Sequence, residues 1–331
     1  MSIAERRFTP RSLLFALAAM LACSQVARSE VERLPAVSAE VEGPAAQQAS
    51  DAWAAQAEES EPILDLESQP AEIPAKSPLQ WAGVTLTWLP ADQPDDLGMT
   101  DIDLTAIFAL PCPTEDSPLV LTPAFGVHYL SGPNTADLPP RVYDGTFDIR
   151  WINKITPAFA TDLSVTPGWH SDFEQSDSAA LRIDGRALGI WTASPAMQFV
   201  TGVLYLDRDE TRWLPAGGVI WTPDPDTRYE LIFPQPKLSW RLEVNGKRET
   251  WGYLAGEFGR GIWAIERSDD THDLVRYRDL RIILGSALKG PGGPKTRFEI
   301  GYVFSREIEF ASAAPDVDVS GTWLLRTEVA Y

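Results

Sequence analysis

Gly321-Thr322-Trp323-Leu324-Leu325-Arg326-Thr327-Glu328-Val329-Ala330-Tyr331 closes the chain. Trp323, Leu325, Thr327, Val329 and Tyr331 take alternate positions, with Thr322, Leu324, Arg326, Glu328 and Ala330 between them. A period of two marks a β-strand, because successive side chains on a strand point to opposite faces. One face is mostly apolar and ends on an aromatic ring; the other carries an arginine and a glutamate. In a soluble sheet the apolar face turns to a core and the charged face to water. In a membrane barrel the order is inverted, with the apolar face toward lipid and the charged face toward a wet interior.

The same alternation recurs upstream. Tyr143, Phe147, Ile149 and Trp151 alternate with Asp144, Thr146, Asp148 and Arg150. Phe298, Ile300, Tyr302 and Phe304 alternate with Arg297, Glu299 and Gly301. Lys237, Ser239 and Arg241 alternate with Leu238, Trp240 and Leu242. Many of these runs reach the roughly 9–11 residues of a tilted membrane strand, whereas soluble strands average about 5–6. Aromatics fall near run ends, as at Trp81 and Trp88, Tyr143 and Trp151, and Trp323 and Tyr331, where a barrel carries its interfacial girdles. Short links, for which Asn153-Lys154, Thr192 to Pro195, Pro223 to Thr227 and Asn245-Gly246 are the candidates, alternate with longer polar ones such as Ser131 to Pro140 and Ala311 to Ser320. That is the pattern of turns opposed to loops. The runs predict an all-β, antiparallel transmembrane β-barrel of about 12 strands (12–14). Pro234-Gln235-Pro236 and Asp184-Gly185 are the places where a strand either ends or continues through a bulge.

The start of the chain agrees. Arg6, Arg7 and Arg11 precede an apolar stretch from Ser12 to Ala22, too short to span a bilayer as a helix and of the length of a secretory signal. Ala27-Arg28-Ser29 offers a small-x-small cleavage site, and Met20-Leu21-Ala22-Cys23 an imperfect lipobox. Residues 1–29 are therefore read as a signal peptide. Glu30 to Pro78 is rich in Ala, Glu, Gln, Ser and Pro and holds eleven acids against Arg33 and Lys76. A segment of that composition buries too little apolar area to offset its chain entropy and is expected to be disordered; it is also a candidate plug. The barrel domain is assigned to 79–331.

The formal charge is −19. The signal carries a net +3 and the acidic segment −9, which leaves −13 on the barrel. With no basic stripe to neutralise phosphates, nucleic acid is excluded as a partner. Beyond Cys23, Cys112 is the only thiol, so there is no disulfide framework. No Cys/His spacing suits a metal, no cofactor is implied, and no nucleophile elbow, zinc-protease or phosphate-loop motif is present. The chain is read as a non-enzyme.

Two stretches carry a resemblance. The terminal strand resembles the closing strand of bacterial outer-membrane barrels, which implies that Trp323, Leu325, Val329 and Tyr331 present an assembly signal to the barrel-assembly machinery. Gly218-Val219-Ile220-Trp221, followed by Arg228 to Phe233 and Pro234-Gln235-Pro236, resembles an uncharacterised family of bacterial outer-membrane β-barrel proteins, a domain of unknown function. In that family a Gly-x-x-Trp strand precedes a Phe-Pro-x-Pro block. The resemblance covers Trp81 to Tyr331 and implies export and a barrel in outer-membrane lipid. It brings no activity and no catalytic residues.

The expected function is a channel or passive transporter for small solutes, or a structural barrel without catalysis. Arg150, Asp148, Arg241, Arg297, Glu299, Arg326 and Glu328 are the lumen-facing candidates that would select by charge and size. The alternative is a soluble exported β-sandwich that binds carbohydrate through exposed Trp residues such as Trp169 and Trp213. The two differ in where the uncharged strand face points.

Overall fold

The computed structural model describes residues 78–331 apart from 92, 94–95, 115–116, 176–177, 208–212, 291–293 and 313. The expected signal and acidic segment thus lie outside the described residues, save Pro78. Fifteen strands follow: β1 (Leu79–Leu89), β2 (Gly98–Thr114), β3 (Ser117–Ser131), β4 (Arg141–Thr156), β5 (Phe159–Ser171), β6 (Leu181–Ser194), β7 (Met197–Tyr205), β8 (Trp213–Asp224), β9 (Thr227–Phe233), β10 (Lys237–Asn245), β11 (Arg248–Glu266), β12 (His272–Lys289), β13 (Lys295–Phe310), β14 (Val317–Val319) and β15 (Thr322–Ala330).

Sequential strands pair antiparallel, and β15 closes the ring on β1, with Gly83 opposite Ala330 and Trp88 opposite Leu325. β14 and β15 follow one another along β13, Val319 opposite Arg306 and Thr322 opposite Val303. The wall is therefore fourteen strands wide, the upper end of the expected range. Pro234-Gln235-Pro236 does separate two strands, β9 and β10, while Asp184-Gly185 lies inside β6. Asn153-Lys154 is not a turn. It lies within β4, and the chain reverses at Pro157-Ala158, where a proline without an N–H ends the ladder.

Short turns, Pro157-Ala158, Pro195-Ala196, Pro225-Asp226 and Gly246-Lys247, share one rim with the start of β1 and the end of β15. The longer links after β1, β3, β5, β7, β11 and β13 gather at the other rim. We call these the turn end and the loop end.

The faces sort as in a membrane barrel. Trp323, Val329, Ile300, Leu284, Leu104 and Val165 are exposed on the outer wall, while Glu299, Glu328, Arg150 and Asp162 are buried inside. The inside-out order removes the soluble sandwich, whose apolar face would be its core. From Trp323 to Tyr331 the outward face runs about 27 Å along the strand, or roughly 20 Å along the axis at a tilt of about 40°. Ring pairs edge this band. Tyr205–Trp213 at 4.9 Å and Tyr302–Trp323 at 5.6 Å lie toward the loop end; Trp191–Phe199 at 5.8 Å and Trp221–Tyr229 at 5.5 Å lie toward the turn end. Trp169 and Trp213 belong to this outer surface. Trp81 does not. It is buried inside the turn end, packed over Gly83, where a Cβ would come within 2.6 Å of its ring.

One strand leaves the simple ring. β10 pairs only with Arg248–Ala255 of β11. Beyond Gly256 one edge of β11 stays on β12, and the other crosses the barrel to β5. There Ala264 pairs in parallel with Ser171, Asp172 N donates to Ala264 O at 3.2 Å, and Glu266 N donates to Asp172 Oδ2 at 2.8 Å. At the loop end β1–β5 and β11–β15 thus close on themselves, and β6–β10 form a side lobe. Each compartment has its own apolar packing. Leu89, Leu97, Val142, Ile265, Val303 and Leu324 close the mouth of the first with help from the folded-in loops. Leu188, Ile190, Val200, Leu204 and Ile220 line the side lobe.

Candidate functional site

Below the crossing the two compartments share a cavity of about 550 Å³. That lies within the roughly 300–1,000 Å³ typical of small-molecule sites. Inward positions of β1–β7, β12, β13 and β15 supply most of its walls, joined by the continuous stretch Glu257 to Trp263 of β11 and by Leu206, Asp207 and Gln235 from the links.

On β11, β12, β13 and β15 the charges form an interlocked ladder. Arg326 donates to Glu257 at 3.1 Å from each of two nitrogens and to Glu299 at 2.9 Å. Its Nε reaches Thr87 Oγ1 at 3.3 Å. Arg297 pairs with Glu328, and Tyr253 Oη donates to Glu299. Arg281 binds Asp279 through two bonds of 2.8 and 3.0 Å. Such forked pairs hold guanidinium and carboxylate in one geometry.

On the facing wall Arg150 is buried and binds Asp162 bidentately at 2.9 and 2.8 Å, with Arg186 on the same carboxylate at 3.3 Å. Asp148 accepts from Thr166 Oγ1 at 2.5 Å. Of the sequence candidates, Arg150, Asp148, Arg297, Arg326 and Glu328 line this cavity, and Glu299 is buried behind it on Arg326. Arg241 stands apart. It sits at the turn-end rim on Asp226 and Glu249, at 2.6 and 2.8 Å.

A second group joins walls that are distant in sequence. Asp144 accepts from Trp263 Nε1 across the lumen at 2.6 Å, from His170 Nδ1 at 2.9 Å and from His128 Nε2 at 3.1 Å. His128 Nδ1 meets Asp101 at 3.0 Å. Arg260 of β11 reaches Asp184 of β6 at 3.3 Å. Alternation puts Asp144 on the inward face of β4 but does not bring it to Trp263, or Arg260 to Asp184. The available signals were the length of β11, nineteen residues, and its glycines at 252, 256, 259 and 261, which let a strand approach another wall closely.

Arg306 shows how the mouth is held. It is 2 % exposed and donates to Tyr277 Oη at 2.9 Å, to Leu97 O at 2.7 Å and to Ser320 O at 3.1 Å. Two links of the loop end are thereby pinned over the first compartment.

No protein-family model matches the chain, and no curated protein does. Among solved structures it is similar to the KdgM porin at 8 % identity, with a TM-score of 0.33 over 76 % of this chain and 98 % of that one. A mutant of the TodX monoaromatic hydrocarbon channel gives 9 % identity and a TM-score of 0.29, over 76 % and 87 %. An engineered Rh. blastica porin gives 4 % and 0.20, over 76 % and 99 %. At these scores the fold of this chain rests on its own strand pairings.

Proposed function

We propose that this protein is a channel-type barrel of a bacterial outer membrane, passing small solutes without catalysis. The observation that carries the reading is the inside-out wall: an apolar outer band edged by aromatic rings encloses a charged cavity of about 550 Å³. An outward surface of this kind is stable against lipid and costly against water. The lining carries charges of both signs, Asp101, Asp103, Asp144 and Asp148 with Arg150, Arg182 and Arg186 on β2–β6 and Glu257, Arg281, Arg297, Arg326 and Glu328 on β11–β15. A lining of this kind discriminates by charge as well as size. The crossing of β11 makes the described conformation a narrow one. Lipid is the partner of the outer band, and we read Trp323, Leu325, Val329 and Tyr331 as the signal offered to the barrel-assembly machinery, a reading supported by their alternation on the outward side of the closing strand and its last residue.

The test is cell fractionation, electrophoresis with and without boiling, and conductance in planar bilayers. Recovery with the outer membrane, a heat-dependent mobility shift and discrete conductance steps are expected. A soluble periplasmic protein with no heat shift would end the reading. A heat-shifting barrel with no conductance would leave a structural barrel.

A further inference from the structure

Resting on that channel reading, we propose that the cavity contains a recognition site for small hydroxycarboxylates, built on Arg182 and His170. Arg182 points inward from β6 into the shared cavity. Arg150, Arg186, Arg260, Arg281, Arg297 and Arg326 each meet a carboxylate. Arg182 meets none among the described residues, and its Nε is buried without an acceptor. A buried guanidinium nitrogen with no partner carries a desolvation cost that an incoming oxygen anion removes, and the planar fork of arginine fits a carboxylate in two-point contact.

The neighbouring strand adds a second point. Gly168 pairs directly with Arg182 across β5 and β6. With no side chain there, the ring of His170 lies over the glycine; a Cβ at Gly168 would come within 2.5 Å of His170 Nε2. Asp144 is an acceptor, so Nδ1 of His170, 2.9 Å away, is the donor in the neutral ring. That leaves Nε2 as an acceptor facing the same space, with no partner among the described residues. A donor fork for a carboxylate beside an acceptor for a hydroxyl describes a hydroxy acid. A neutral polyol satisfies only the second group, and an amine satisfies neither the fork nor its charge.

Gluconate, with sorbitol as its neutral counterpart, tests this on the full chain refolded in detergent. Calorimetric titration is made on the parent and on Arg182→Gln. Arg182 makes no ion pair, so the variant is expected to keep its heat-dependent mobility shift. Gluconate binding is expected to weaken about ten- to a hundred-fold in Arg182→Gln, the loss of one charge-assisted two-point contact, and sorbitol is expected to bind weakly to both. His170→Phe, which keeps a ring over Gly168, is expected to bring gluconate toward the affinity of its deoxy analogue, hexanoate. Equal gluconate affinity in parent and Arg182→Gln, equal affinity for sorbitol and gluconate, or no gluconate binding by a conducting barrel would each overturn the proposal. Gluconate binding with the expected Arg182 dependence in a barrel that never conducts would instead overturn the channel reading and leave the site.

Discussion

Replacing Arg326 with leucine tests whether the interior ladder is structural. Arg326 supplies the side-chain hydrogen bonds to both oxygens of Glu257 and one bond to Glu299. After Arg326→Leu, Glu299 keeps the donor Tyr253, and Glu257 keeps no side-chain donor among the described residues. Breaking a buried pair by removing one partner costs roughly 3–5 kcal/mol. The Glu299 side chain is 2 % exposed and that of Glu257 19 %, so Glu257 recovers some hydration and the lower end, about 3 kcal/mol, is expected. At a urea slope of about 2 kcal/mol/M this moves the unfolding midpoint down by about 1.5 M. The assay is urea unfolding in detergent micelles, read by tryptophan emission and by the fraction of heat-shifting band. Adding Glu257→Gln to Arg326→Leu removes the uncompensated charge and is expected to return part of the loss. An unchanged midpoint, or a double variant less stable than the single, would refute the reasoning that paired interior charges hold β11 to β15.

Phe298→Arg places a charge on the outer band opposite Thr327, the middle outward residue between Trp323 and Tyr331, and is expected to cost about 2–4 kcal/mol near the bilayer midplane; refolding yield into vesicles checks it, with Tyr302→Arg at the loop-end edge of the band as the milder comparison. Trp263→Phe removes the 2.6 Å bond to Asp144 across the lumen while keeping a ring. Bilayer recordings are expected to show more frequent or larger conductance steps, and unchanged traces would mean that the crossing does not limit passage. Arg306→Met unpins Leu97 and Ser320 and is expected to make the loop end more protease-sensitive with little loss of heat-shifted band, checked by limited proteolysis of reconstituted vesicles.

Period-two patterning made the wall legible. The inward and outward residues of β15 and β13 are those that alternation assigns, because a one-residue slip would turn every charge to lipid. Turn chemistry found the reversal signalled by Asn245-Gly246 one residue early, since Asn245 still pairs with Arg248 and Gly246-Lys247 make the turn, and failed at Asn153-Lys154, where a polar pair simply continues a strand. Trp81 escaped because the rule that places aromatics at the outer interface carries no information on a Trp that finds room over a glycine inside. The crossing of β11 was invisible for a different reason. Alternation states which face a residue takes, and neighbour order states which strand it joins. Neither registers a strand whose far half leaves its neighbour. Asp144 with Trp263, and Asp184 with Arg260, meet only through that departure, so the densest part of the cavity could not be assembled from the sequence.

The single pairing of Ser171 with Ala264 also has a meaning in parity. A ring of up-and-down strands can be antiparallel throughout only if its number is even, as at the turn end with fourteen. The loop-end ring, counting β14 and β15 as one, has nine, and an odd ring must contain a parallel join. It falls between β5 and β11, where one residue pair stands in for a full ladder. The odd ring therefore has a built-in weakest link, and any widening of the loop end should start by parting it.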